Sequence, residues 1–77
     1  MNMMNKAQDK AYFLSFCIEQ YKNAKGVSGK EAAEYLAKYG VLDYLCDNFE
    51  VLHTQGWQWL LADIEGHIRS RQEGRER

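Results

Sequence analysis

Apolar side chains recur every three or four residues along most of the chain, which is the spacing of an amphipathic α-helix. The first such stretch covers about residues 6 to 25, and Gly26 follows it as a natural helix stop. Ser28 and Glu31 stand three positions apart, in the pattern of a capping box. A second helix is therefore predicted from this point to about Tyr39.

The second half of the chain predicts two further helices. Gly40 ends the second helix, and a short third helix is expected over residues 41–48. Residues 49–56 lack a regular spacing and are predicted to be irregular, with Thr54 as the N-cap of the helix that follows. That last helix is predicted over residues 55–69, and its apolar stripe consists of Trp57, Leu60, Leu61, Ile64 and Ile68.

The end of the chain differs from the rest because residues 71–77 are polar and charged, which predicts a disordered basic tail. The expected fold is therefore all-α. It is a compact bundle of four short helices that forms one domain over residues 6–70, followed by the tail at 71–77. A chain of 77 residues that is 45% apolar and 27% charged has globular composition and room for one small core.

Cysteine usage and hydropathy bear on the compartment. Cys17 and Cys46 each lie in an apolar run and have no companion at the spacing of metal ligands, as in proteins of reducing compartments. The sequence also shows no secretory segment and no apolar stretch of membrane-spanning length. We therefore predict a cytoplasmic protein with no membrane association.

The charges are distributed unevenly. The net charge of -1 disfavours a general nucleic-acid binder, which needs a surplus of Lys and Arg. Residues 41–68 hold five carboxylates and no Lys or Arg, and the basic end of the chain follows with Arg69, Arg71, Arg75 and Arg77. An alternative function therefore stays open: a nucleic-acid accessory factor or transcriptional regulator that uses this basic tail.

The turn around Gly40 invites comparison with a helix-turn-helix, in which the second helix enters the major groove. The helix after this turn would present Asp43 and Asp47 to the phosphates without a neighbouring cation. The charges therefore oppose DNA reading by that helix, and we interpret the two carboxylates as solvated surface.

Histidine is the side chain that most often marks a catalytic or metal site near neutral pH, and the chain has two, His53 and His67. His53 could fix the loop, contact a partner or serve an enzyme or metal site, whereas His67 near a helix end suits a structural role. No activating motif surrounds Cys17 or Cys46, and no Gly-rich phosphate loop occurs. We predict no enzyme activity and no catalytic, cofactor-binding or metal-binding residue.

Three aromatic residues lie off the apolar stripes of their helices. Tyr12 and Phe16 form an i,i+4 pair beside the stripe of the first helix. Trp59 lies opposite the stripe of the last helix, on the side of the small residues Ala62 and Gly66. These rings either pack against other helices of the same chain or form a surface for a partner or for self-association.

Three segments of the sequence resemble a bacterial family known as domain of unknown function 3791. They are VSGKE at residues 27–31, KYGVLDYL at 38–45 and VLHTQG at 51–56, and the likeness extends over about residues 13–68. Members of that family look like companions of genes for another family, which itself resembles ADP-ribosyltransferases. The resemblance implies an accessory or antitoxin-like protein that binds a neighbouring gene product.

Some residues of these segments have no evident structural role. The polar tips of Tyr39, Tyr44, His53 and Gln55 could cluster in a shallow pocket. We therefore predict a small cytosolic protein-interaction module whose candidate partner contacts are Tyr12, Phe16, Tyr39, Tyr44, His53, Gln55 and Trp59.

Overall fold

A computed structural model describes residues 6–74 of the chain, and all of the regular structure in this range is helical. Five helices follow one another: α1 (Lys6–Lys25), α2 (Gly29–Lys38), α3 (Val41–Asp47), α4 (Phe49–Leu52) and α5 (Trp57–Gly74). The prediction of an all-α fold is confirmed. The bundle has five helices rather than the expected four.

The break between α1 and α2 forms as the sequence predicts. Gly26 has a positive φ of 68°, and its amide donates to the carbonyl of Lys22 at 2.9 Å. The Ser28 hydroxyl accepts the amide proton of Glu31 at 3.0 Å, and the Glu31 carboxylate accepts that of Ser28 at 3.0 Å. The capping box therefore satisfies two amides that a helix start would otherwise leave unpaired.

Gly40 separates α2 from α3 with a φ of 72°, a conformation that costs a residue with a side chain considerably more than glycine. Its amide donates to the Ala37 carbonyl at 3.1 Å, and its carbonyl accepts the amide proton of Tyr44 at 3.1 Å. The same glycine thus ends one helix and begins the next, so α2 and α3 meet at a tight corner.

The prediction that residues 49–56 are irregular is wrong for the first four of them. They form α4, a single helical turn in which the amide of His53 donates to the carbonyl of Phe49 at 2.9 Å. Phe49 and Leu52 are buried, and tertiary packing therefore holds a helix too short to be stable alone.

Thr54 does not cap α5, contrary to prediction. Its hydroxyl donates to the carbonyl of Val51 at 3.0 Å, back toward α4. The last helix begins later, at Trp57, and the carbonyl of Gly56 accepts the amide proton of Leu60 at 3.0 Å. Thr54 therefore closes the turn after α4.

The predicted disordered tail is not confirmed, because α5 continues through residues 71–74. Two contacts tie this last part of the helix to the α2–α3 corner. Gln72 Nε2 donates to the Tyr39 hydroxyl at 3.4 Å, and the guanidinium of Arg71 lies so close to Gly40 that a Cβ there would be 2.7 Å from Nη2. Arg75 and Arg77, which belong to the predicted tail, lie outside the described residues.

The short helix α3 packs against each of the other four helices, so the core surrounds it. An ion pair between Lys25 and Glu65 joins α1 to α5 at the surface. Among the described helices, none has the combination of length and apolar character needed to cross a bilayer. The buried residues of the core are Phe13, Cys17, Tyr21, Ala32, Leu36, Tyr39, Val41, Leu45, Phe49, Leu52, Leu60, Ile64 and Ile68.

Candidate functional site

An open groove of about 670 Å³ lies between the N-terminal half of α1 and the α4 segment. Its volume falls in the range of about 300 to 1,000 Å³ that is typical of ligand-holding clefts. We call it the aromatic groove and define it by its lining residues, which are Asp9, Tyr12, Phe13, Phe16, Phe49, Glu50, His53, Gln55 and Leu60. Four of the seven predicted partner contacts, namely Tyr12, Phe16, His53 and Gln55, therefore line one cavity.

The floor of the aromatic groove is part of the hydrophobic core. Phe13 and Phe49 meet edge to face with ring centroids 5.6 Å apart, and both are buried. Leu60 of α5 is also buried beneath the groove. Because close packing fixes these side chains, the floor presents a preformed apolar surface.

Two exposed aromatic rings stand at the side of the groove formed by α1. Tyr12 is 67% exposed and Phe16 is 45% exposed. Phe16 is supported from α5, since its ring meets that of Trp57 edge to face at 6.1 Å. Exposed aromatic residues over an apolar floor are typical of the anchoring positions in protein interfaces.

His53 is held in a defined orientation at the opposite side of the groove. Its ring stacks on Phe49 with centroids 4.3 Å apart, and Nδ1 lies 2.7 Å from the Phe49 carbonyl oxygen. Because a carbonyl can only accept, Nδ1 is the donor in this contact. The contact leaves Nε2 as the second polar atom of the His53 ring, which lines the groove.

Carboxylates from two helices accompany these groups. Asp9 comes from the first turn of α1, and Glu50 comes from α4. Neither carboxylate is among the predicted site residues, because the groove depends on α4, whose residues the sequence predicts to be irregular. For Glu50 the detectable signal is the absence of Lys and Arg from residues 41–68, a range that does not include Asp9.

Tyr39 and Tyr44 do not join His53 and Gln55, so the predicted cluster of four polar tips does not form. Tyr39 is buried, and its hydroxyl accepts the hydrogen bond from Gln72. Tyr44 donates to Asp63 Oδ2 at 2.7 Å, and its ring stacks on His67 at 4.5 Å. Both tyrosines therefore connect helices of this chain.

The Tyr44 contact also affects the acidity of its hydroxyl. The hydrogen bond to Asp63 raises the pKa of Tyr44 above its ordinary value, and partial burial acts in the same direction. The phenol consequently keeps its proton at neutral pH and remains the donor to the carboxylate. This pair links α3 to α5.

Trp59 lies outside the aromatic groove, on α5, and is 54% exposed. Ala62 beside it is exposed, and a Cβ at Gly66 would have no neighbour within 4 Å. This exposed helix face is separate from the aromatic groove.

The acidity of Cys17 and the positions of the potential metal ligands bear on the catalytic alternatives. Burial raises the pKa of the Cys17 thiol to about 11, so the thiol stays protonated and weakly nucleophilic at neutral pH. Between residues 6 and 74, no three His, Cys, Asp or Glu side chains come together as potential metal ligands. Asp43 and Asp47 are exposed on α3, as the surface interpretation predicts.

The two described arginines of the basic end, Arg69 and Arg71, are both exposed on α5. The guanidinium of Arg71 also lies against Gly40 at the α2–α3 corner. The helix after the Gly40 turn buries Val41 and Leu45 and exposes carboxylates, so it has no cationic face to present to DNA.

Comparison with known proteins identifies a family for this chain. No curated protein and no solved structure matches the chain significantly. A family model described as "Protein of unknown function (DUF3791)" matches residues 12–71, which include most of the aromatic groove and all of α2, α3 and α4. The chain therefore belongs to the DUF3791 family.

Proposed function

We propose that this protein is a small, non-enzymatic interaction module that receives part of a partner protein in the aromatic groove. The observation behind the proposal is the combination of exposed Tyr12 and Phe16 with a buried apolar floor. Aromatic side chains bury a large area at low entropic cost, and they dominate the affinity of many interfaces. The oriented His53 ring and Gln55 supply polar contacts that can fix the register of the partner.

The family resemblance suggests the identity of the partner, which is the product of a neighbouring gene that resembles ADP-ribosyltransferases. In this proposal the chain acts as an accessory or antitoxin-like subunit in a bacterial cytoplasm. Its two cysteines are unpaired, and Cys17 is buried, as is usual in proteins of a reducing compartment.

Co-purification from the native host tests this proposal. The full chain would be tagged and compared with a Tyr12→Ala/Phe16→Ala double variant, with quantification of the ADP-ribosyltransferase-like neighbour in each eluate. We expect the double variant to recover at least about tenfold less partner, since two interface anchors together contribute about 2 kcal/mol or more.

Trp59→Ala is the matched control because it also removes a half-exposed aromatic ring, but from outside the groove. It should recover the partner as well as the wild type does. Thermal melts of all variants would establish that each is folded. Equal recovery by the double variant, or loss of the partner with Trp59→Ala alone, would contradict docking in the aromatic groove.

A further inference from the structure

We infer that a second cleft of this protein binds a small ligand in which an oxyanion, a phosphate or a carboxylate, is attached to an apolar ring. Two adjoining cavities of about 370 and 180 Å³ form this cleft, and both are lined by Tyr21, Lys25 and Tyr35. We call the two cavities together the tyrosine cleft, after the side chains that they share. Its described lining residues all differ from those of the aromatic groove, so the two sites are distinct.

Tyr21 brings an unpaired hydroxyl to the cleft. The residue is only 5% exposed, and its ring lies nearly parallel to that of Tyr35, with centroids 6.1 Å apart. Within residues 6–74 this hydroxyl has no hydrogen-bond partner, and it is not sealed from solvent, so it opens into the cleft that the side chain lines. Burial raises the pKa of Tyr21 above its ordinary value, so the hydroxyl keeps its proton at neutral pH and can donate. A bound ligand would satisfy this donor.

Arg69 supplies a guanidinium to the smaller of the two cavities. In the described structure it forms neither an ion pair nor a hydrogen bond. The carboxylates beside the cleft are both held by groups of this chain, since Glu65 pairs with Lys25 and Glu31 belongs to the capping box of α2. A guanidinium binds a phosphate or a carboxylate through two parallel N–H donors, and a phenol hydroxyl adds a third donor. The groups that remain unpaired here therefore suit an oxyanion.

The larger cavity supplies an apolar surface next to these donors. Ala32 is buried there, and Val27 and Tyr35 are each more than one third exposed. The Tyr35 ring is held in place because it stacks on Tyr21 and meets the ring of Tyr39 edge to face at 5.0 Å. An oriented ring with an exposed part favours contact with another ring. Because the two cavities share their tyrosines, a fitting ligand carries its oxyanion directly beside its apolar ring.

Titrations of the full chain, followed by the chemical shifts of its backbone amides, test this inference. Phenyl phosphate and benzoate each combine the ring with an oxyanion, whereas benzyl alcohol lacks the charge and inorganic phosphate lacks the ring. We expect phenyl phosphate or benzoate to bind at least about tenfold more tightly than the other two probes, because each of those loses one set of contacts. The tighter of the two identifies the oxyanion. Equal binding of benzyl alcohol or of inorganic phosphate would overturn the inference.

Two conservative variants locate the binding. Tyr21→Phe removes only a hydroxyl and Arg69→Gln removes a guanidinium, and each should weaken the tighter probe by about fivefold. Tyr12→Phe and Arg71→Gln are the matched controls, because they remove the same groups from exposed sites that do not line the cleft, and they should change binding by less than about twofold.

The controls also define the contradicting results. An equal effect of Arg69→Gln and Arg71→Gln would show a response to net charge alone and would overturn the inference, as would unchanged amide shifts with all four probes at millimolar concentration. Arg69 is exposed, so its variant decides the question even where Tyr21→Phe lowers stability. Co-purification through the aromatic groove remains a separate test, because it depends on Tyr12 and Phe16 rather than on the tyrosine cleft.

Discussion

Replacing Leu45 by alanine is expected to leave most of the protein unfolded at room temperature or slightly above. Leu45 is fully buried on α3, the helix that packs against the other four. Removing a buried leucine side chain costs about 2 to 5 kcal/mol, because the loss of apolar burial is joined by the cost of a cavity. A single core of this size supplies only about 3 to 5 kcal/mol of net stability.

Urea denaturation followed by circular dichroism would measure this effect. Leu42→Ala is the matched control, since the same atoms are removed from the same helix at a half-buried position. It should lower the free energy of unfolding by less than half as much as Leu45→Ala. Equal effects of the two substitutions would show that α3 does not occupy the centre of the core.

Two glycine substitutions are expected to change stability in opposite directions. Gly40→Ala should lower the free energy of unfolding by about 1 to 2 kcal/mol, because the residue has a positive φ. The new Cβ would also force the Arg71 guanidinium away from the α2–α3 corner. Gly66→Ala should raise the free energy of unfolding by about 0.5 to 1 kcal/mol, since this position is within α5 and open to a Cβ.

Melting temperatures of the two variants and the wild type would check these two predicted changes in stability. Because the chemical change is identical, the opposite signs isolate the effect of backbone conformation from that of the added methyl group. A Gly40→Ala variant as stable as the wild type would contradict both the left-handed conformation at the corner and the Arg71 contact.

The sequence predicted those parts of the fold that depend on local chemistry. Helix stops at Gly26 and Gly40 and the Ser28 capping box each follow from residues within one helical turn, and all three form as expected. The single turn of α4 was missed because four residues are too few to show a helical period. It exists because its apolar side chains meet the core.

The end of α5 could not be predicted for a related reason. Residues 71–74 look like a solvated tail, yet Arg71 and Gln72 contact the α2–α3 corner, which lies more than 30 positions earlier in the chain. Contacts between segments so far apart in the chain cannot be predicted from the composition of either segment. The helix therefore extends beyond the point at which its apolar stripe ends at Ile68.

The candidate site could be predicted less completely than the helices. The positions of Tyr12, Phe16 and Trp59 off the apolar stripes left open whether these rings pack within the chain or form a surface, and the structure exposes all three. The sequence also did not predict that Tyr39 and Tyr44 contact other helices of this chain. Only the arrangement of the helices determines which ring turns inward. The carboxylates of Asp9 and Glu50 could likewise not be assigned to one site from the sequence, because they meet only through the packing of α1 against α4.

Site-specific photocrosslinking in the native host would test the role of the aromatic groove most directly. A photoreactive p-benzoylphenylalanine would replace Tyr12 in one variant of the full chain and Trp59 in another, both of which are more than half exposed. The groove model predicts a cross-link to the partner protein from position 12 and none from position 59. A cross-link from position 59 with none from position 12 would contradict it.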